Sequence, residues 1–354
     1  MLKKLKSEKE SETERLISQP IYRRPRMAIF VLIIGMLVLI VGLMLSISVG
    51  AVNIPLRTVW DAIFHYNSNI TEHGIIQEIR VPRALADILV GAGFAVAGAI
   101  MQGMTRNPMA DSGILGINAG AIFMVAISFA FFPGLSYNWM MLLSFIGAAI
   151  SLILVYGIGA LSRKGMTPIR LVLAGSAISA LFTALSEGVA IYTNLSQDIA
   201  FWFAGGTAGA KWNQLEIITP WILLGLICAL LLSRSITILS LGDEIAKGLG
   251  QRMTIVRVLG ALIVLILAGV SVSIAGPISF VGLVIPHIAR LLVGVDYRWI
   301  IPCSAILGGI LLTVADIGAR MINAPFESPI GALIAILGVP FFLYVARKEG
   351  RNLS

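Results

Sequence analysis

Apolar residues in this chain fall in long unbroken runs separated by short polar segments, with almost no strand-like alternation. A helix needs about 20 apolar residues to cross a hydrocarbon layer roughly 30 Å thick, whereas barrel strands alternate over about ten. Runs of helix-spanning length recur near 27–49, 84–104, 112–132, 139–161, 169–192, 214–233, 255–275, 278–293, 300–318 and 329–346. The pattern predicts an all-α integral membrane protein of about ten spans, because backbone in lipid must pair within each segment. The eighth run contains Pro286 and the tenth Gly338 and Pro340. Both read either as broken helices lining a transport path or as ordinary packing kinks.

The polar segments divide the chain further. Residues 1–26 form a tail with eight Lys and Arg against four glutamates, which predicts a disordered cytoplasmic segment. The run that follows lacks a small-residue cleavage site, so it reads as a first span and not as a removable signal. Residues 27–347 then form one transmembrane domain, and 348–354 a short cytoplasmic tail. The longest polar connection, 50–82, holds a candidate surface helix from Leu56 to His65. Phe201, Trp202, Phe203 and Trp212, in the connection from Thr193 to Asn213, suit a headgroup belt.

Composition agrees with lipid as the solvent: 58% of the 354 residues are hydrophobic and only 12% charged, which excludes an ordinary water-soluble domain. The net charge of +8 is scattered at the ends of apolar runs without aromatic interleaving, so no nucleic-acid partner is expected. With the N-terminus inside, ten spans place 21 Lys and Arg in the cytoplasm against five outside: Arg57, Arg80, Arg83, Lys211 and Arg320. The excess of basic residues on the inner side predicts that both termini are cytoplasmic. Cys228 and Cys303 lie in or beside apolar runs, and His65, His73 and His287 show no metal-ligand spacing; neither a metal nor a cofactor is expected. No phosphate-cradling G-x-x-x-x-G-K-S/T stretch and no catalytic constellation is present, so the chain is expected not to be an enzyme.

One cytoplasmic loop, within 240–252, reads as a short capped helix. Ser240 is a candidate N-cap, Asp243 and Glu244 occupy the first turn, Lys247 lies later, and Gly248 and Gly250 end the helix. Leu241, Ile245 and Leu249 make an apolar stripe at four-residue spacing. Such a stripe suits either a groove on a partner or the lipid headgroups. In the second run, Gly91, Gly93, Gly98 and Gly103 with interleaved alanines give a small-residue face, for close helix packing or for lining a wide path. Ala95–Ile100 and Ser273–Ile278 only hint at an internal duplication.

Five stretches, in order, resemble the FecCD family: Arg80-Val-Pro-Arg83; Gln102 to Gly116; Ile169 to Gly175; Leu241-Gly-Asp-Glu-Ile-Ala-Lys-Gly-Leu-Gly250; and Gly276 to Arg290. The resemblance runs from about Val49 to Arg347, with Ser112 standing where the family more often has proline. The family comprises permeases of ABC importers for iron-siderophore complexes, haem and vitamin B12. The resemblance therefore implies a permease working with a second, identical or paralogous permease, two ATP-binding cassette subunits and an extracellular substrate-binding protein, in a bacterial plasma membrane. The implied cargo is a ferric siderophore, with haem or cobalamin as alternatives.

By the same resemblance, Leu241, Gly242, Asp243, Glu244, Ile245, Ala246, Gly248, Leu249 and Gly250 form the ATPase-coupling loop. Arg80, Arg83 and Arg320 are expected to dock the binding protein; by spacing, Asp87 and Asp316 also suit i,i+4 pairs with Arg83 and Arg320, a reading compatible with docking. A different function class, an ion-coupled secondary transporter, would use Asp87, Glu187 or Asp316. His287 reads as an interfacial residue and not as an iron ligand, since such cargo arrives already chelated.

Overall fold

The computed structural model describes residues 24–50, 52–160, 168–195, 205–323, 326 and 328–352, and no β-strand occurs among them. Thirteen α-helices follow one another among the described residues. Four precede or form the first two spans: α1 (Pro25–Ser48), α2 (Leu56–Phe64), α3 (Thr71–Ile75) and α4 (Val81–Thr105). Then come α5 (Ile117–Phe131), α6 (Tyr137–Ala160), α7 (Pro168–Thr193), α8 (Trp212–Ser240) and α9 (Asp243–Gly248). The last four are α10 (Met253–Ala275), α11 (Val281–Val293), α12 (Tyr297–Ile322) and α13 (Ile330–Asn352). Among the described residues seven helical stretches are long and apolar enough to cross a membrane, and Ile117–Phe131, Val281–Val293 and Ile330–Val345 are shorter apolar helices. Each of the ten apolar runs thus has its helix.

Several boundaries differ from expectation for local reasons. The third run opens as a 3-10 turn, Ser112–Leu115, because Asp111 accepts the Ser112 backbone N–H at 2.6 Å and Gly116 then turns left-handed at φ +71°. Its α-helix is therefore only 15 residues long. The segment before α4 is helical too: α3 passes through one π-turn, Ile76–Arg80, directly into α4. Pro286 and Pro340 sit inside continuous helices and do not break them. Phe201, Trp202 and Phe203 lie outside the described residues; Trp212 is 40% exposed and donates its indole N–H to the Gln77 carbonyl at 2.7 Å.

At the centre stands α4, with 21 of its 25 residues buried, so it and not the lipid-facing α1 organises the bundle. It packs most extensively on α12, and also on α10, α8 and α11, while α5, α6 and α7 form a second group joined through α10. The small-residue face explains the closeness. A Cβ on Gly98 would overlap the Gly282 carbonyl of α11, and one on Gly91 the Gly308 carbonyl of α12. Packing, the plainer of the two readings of that face, accounts for both glycines.

Candidate functional site

Charged side chains gather at the two ends of α4. At its beginning, Arg83 extends to α12, where its Nε and a terminal nitrogen donate to one oxygen of Asp316 at 3.0 and 2.7 Å. The other Asp316 oxygen lies 2.7 Å from Arg320, one turn on along α12. Asp316 is fully buried, and Arg83 and Arg320 are each 6% exposed. A carboxylate with no access to water needs such pairing, since an uncompensated buried charge is strongly unfavourable.

Arg320, together with Arg80, also closes the end of α1, whose last carbonyls have no partner within their own helix. Arg320 donates to the carbonyls of Ser46 and Val49, both at 2.9 Å, and to the Ser46 hydroxyl at 2.7 Å. Arg80 donates to the carbonyls of Ile47 at 2.7 Å and Ser48 at 2.9 Å, and to that of Val52. Cations placed at a helix C-terminus also oppose its dipole favourably. Gly50 lies beside both groups: a Cβ there would stand 3.4 Å from Arg80 and 3.6 Å from Arg320.

Of the two i,i+4 pairs expected from spacing, Asp316 with Arg320 forms and Arg83 with Asp87 does not. Asp316 from the neighbouring helix takes Arg83 instead, and Asp87 accepts a hydrogen bond from the Thr207 hydroxyl at 2.5 Å. The structure thus brings Arg80, Arg83 and Arg320 together at one end of the bundle. Only Arg80 is more than marginally exposed, and its contacts are with carbonyls.

At the far end of α4 lies the loop helix α9. Ser240 is not its cap: α8 continues through Ser240, whose hydroxyl donates to Thr237 O at 2.7 Å, and the turn is made at Gly242, φ +126°. The helix ends through Gly250 at φ +75°, with the Gly250 and Gln251 N–H groups donating to Lys247 O and Ala246 O, both at 2.9 Å. Gly248 is the last helical residue. The apolar stripe faces outward: Leu241, Ile245 and Leu249 are 38, 49 and 65% exposed, Glu244 and Lys247 are exposed beside them, and Ala246 is fully buried beneath.

Asp243 faces the other way. Both its oxygens accept from one terminal nitrogen of Arg257 on α10 at 3.0 Å, and Arg106, just past α4, approaches to 3.4 Å. Arg106 adopts a left-handed backbone, φ 53°, that turns its side chain back under the loop. Spacing alone had marked Arg106 and Arg257 only as topology charges. An arginine two residues past the start of an apolar run was the available signal for Arg257, because such residues seek a partner. A third polar group was not anticipated: Arg290 on α11 donates to Gln102 Oε1 and to the Tyr297 hydroxyl, both at 3.1 Å, beside a cavity of about 210 Å³ that Arg106, Ser240 and Leu241 also line.

Glu187 is exposed on α7, and His287 meets Phe341 edge to face at 5.6 Å. Among the described residues no group of three His, Cys, Asp or Glu side chains is placed to hold a metal ion.

Comparison with known proteins places these features in a family setting. The profile of the FecCD transport family matches residues 38–348. The iron(3+)-hydroxamate import system permease protein FhuB of Bacillus subtilis is 56% identical over 92% of this chain and 85% of its own. The iron-uptake system permease protein FeuB of the same organism is 42% identical over 90% of this chain and 96% of its own. The hemin transport system permease protein HmuU of Yersinia pestis is 38% identical, covering 94% of this chain and 98% of its own. Among solved structures, an inward-facing metal-chelate type ABC transporter superposes with a TM-score of 0.79 at 29% identity, over 91% of this chain and 99% of that one.

Proposed function

As the chain belongs to the FecCD transport family, and is a multi-span permease of the ABC importer kind, we propose that its cargo is a ferric siderophore of the hydroxamate class. The observation that carries this reading is the 56% identity to an iron(3+)-hydroxamate permease across 92% of the chain. Haem and cobalamin are the competing cargoes.

The permease works between an extracellular binding protein and two cytoplasmic ATP-binding cassette subunits, in a bacterial plasma membrane with both termini inside. ATP hydrolysis belongs to the cassettes. The outward stripe of the α9 loop, Leu241, Ile245 and Leu249 with Glu244 and Lys247, enters a groove on a cassette; the exposure of three large apolar side chains, Ile245 on the six-residue helix and Leu241 and Leu249 flanking its two ends, supports this assignment. Gly242 and Gly250 shape the two ends of that loop. Arg80, Arg83 and Arg320 supply the positive face for the binding protein, and Arg80 carries most of the contact because the other two are held by Asp316. A second, paralogous permease completes the path. Two different permease proteins of the iron(3+)-hydroxamate import system of B. subtilis match this chain, at 56% and 37% identity, which favours a paralogue over a second identical copy.

The test is reconstitution of permeases, cassettes and binding protein in proteoliposomes, with radiolabelled iron supplied as a hydroxamate chelate. Uptake that requires ATP and is competed by unlabelled ferric hydroxamate, and not by haem or cobalamin, is expected. Uptake that persists without ATP and collapses with an ion gradient would identify an ion-coupled carrier instead.

A further inference from the structure

Asp243 lies in the loop assigned to the cassettes, yet its carboxylate turns away from the exposed stripe and is held by two arginines of the bundle. We infer that Asp243, Arg257 and Arg106 form a clamp that makes α9 move as one piece with α4 and α10, so that Asp243 and Arg257 are positioning residues for coupling. This rests on the reading of α9 as the cassette-facing helix.

Three observations carry the inference. First, the clamp is divided between elements: Asp243 opens α9, Arg257 belongs to α10, and Arg106 directly follows α4. Arg257 is 8% exposed, so its guanidinium is tied to the bundle interior and not to bulk water, and its backbone carbonyl accepts the Tyr156 hydroxyl of α6 at 3.2 Å. Second, apolar packing does not do this work. α9 offers one fully buried residue, Ala246, and beside its entry at Ser240 and Leu241 lies the cavity that Arg106 also lines. A six-residue helix has too few internal hydrogen bonds to hold its own orientation. Third, the exit is tied as well: the Gln251 amide donates to Ser235 O on α8 at 2.8 Å. Force applied at Leu241, Ile245 or Leu249 therefore passes to the spans through the clamp and this tie, not through a deformable apolar contact. Charge-assisted hydrogen bonds have a defined direction, which a greasy contact lacks.

The experiment uses the complete transporter in proteoliposomes, comparing Asp243→Asn, Arg257→Gln, the double variant, and Ile245→Ser/Leu249→Ser. Three quantities are read: cassettes recovered with the permease, ATP hydrolysis, and ATP-driven uptake. Arg257→Gln, which lies on a span, is expected to retain its cassettes and their basal hydrolysis while uptake falls at least about tenfold. The double variant is expected to be no worse than the more damaging single one, because one interaction is being removed twice. Losses that multiply in the double variant, or wild-type uptake in Arg257→Gln, would overturn the clamp. Loss of cassettes from Asp243→Asn would overturn it as well, by making Asp243 part of the docking face. Where Asp243→Asn fails to accumulate, Arg106→Gln, on a side chain 40% exposed, is read in its place with a smaller loss expected; unchanged uptake then counts against the clamp. The docking reading fails separately, if Ile245→Ser/Leu249→Ser leaves cassette recovery intact.

Discussion

Asp316→Asn removes the counter-charge that two buried arginines share, and its cost can be worked from the geometry. Asp316 is fully buried, with Arg83 at 2.7 Å and Arg320 at 2.7 Å on separate oxygens. Removing one partner of a buried ion pair costs about 3–5 kcal/mol, because burial keeps water from taking the place of the lost charge. Asparagine keeps the shape and one acceptor, so the loss is electrostatic and not a cavity. At about 2 °C per kcal/mol for a chain of this size, the melting temperature should fall by about 6–10 °C.

Asp87→Asn on the same face is the control. Asp87 is as buried as Asp316 but accepts only the Thr207 hydroxyl at 2.5 Å, a bond that an asparagine carbonyl accepts equally well. Its cost should stay within about 1 kcal/mol, or about 2 °C. The measurement is thermal unfolding of the purified permease in detergent, followed by loss of the monodisperse peak. Equal shifts for the two variants, or less than about 2 °C for Asp316→Asn, would refute the assignment of Asp316 as the central counter-charge.

Gly98→Ala should cost about 1–3 kcal/mol, at the upper end, because the added methyl meets the Gly282 backbone and not a side chain that can turn away. Gly188→Ala, where a Cβ meets open space within α7, should instead raise stability by about 0.5–1 kcal/mol; the same melting assay reads both. Arg80→Glu should weaken binding of the substrate-binding protein by titration, most at low ionic strength, and an affinity that does not change with salt would count against electrostatic docking. Ile245→Ser with Leu249→Ser should lower the cassette recovered per permease without lowering permease yield, since both side chains are about half or more exposed in the free chain.

The spans were legible because crossing lipid imposes a length and a composition on each segment, and both are local. The stripe of α9 was legible for the same reason. Ser240 was misread because Ser-x-x-Asp spacing fits a capping pattern whether or not the preceding helix has ended; here α8 runs through it and Gly242 makes the turn. Arg320 found its partner four residues away, as spacing predicts, but Arg83 found Asp316, 233 residues distant, in preference to Asp87. Helix spacing cannot choose between a neighbour on the same helix and a carboxylate delivered by another. Arg257 and Asp243 are only 14 apart, yet the intervening turn hides their meeting from any periodic rule.

The distribution of these charges answers a difficulty created by α4 itself. Its glycine and alanine face lies backbone against backbone on α11 and α12, which allows close approach but leaves few projecting side chains to interlock. Two smooth surfaces resist sliding along the helix axis poorly, even where their separation is well fixed. Arg83 and Arg106, 23 residues apart and therefore roughly 34 Å along the axis, lie at either end of that face. Each is tied to an aspartate of another element, Asp316 at one end and Asp243 at the other. Apolar side chains of equal volume can match a buried ion pair in stability, but they do not select one axial position from its neighbours. Ionic ties at both ends of a smooth helix supply that selection, and α4 beyond Asp87, from Ile88 to Thr105, remains free to be close-packed and uncharged.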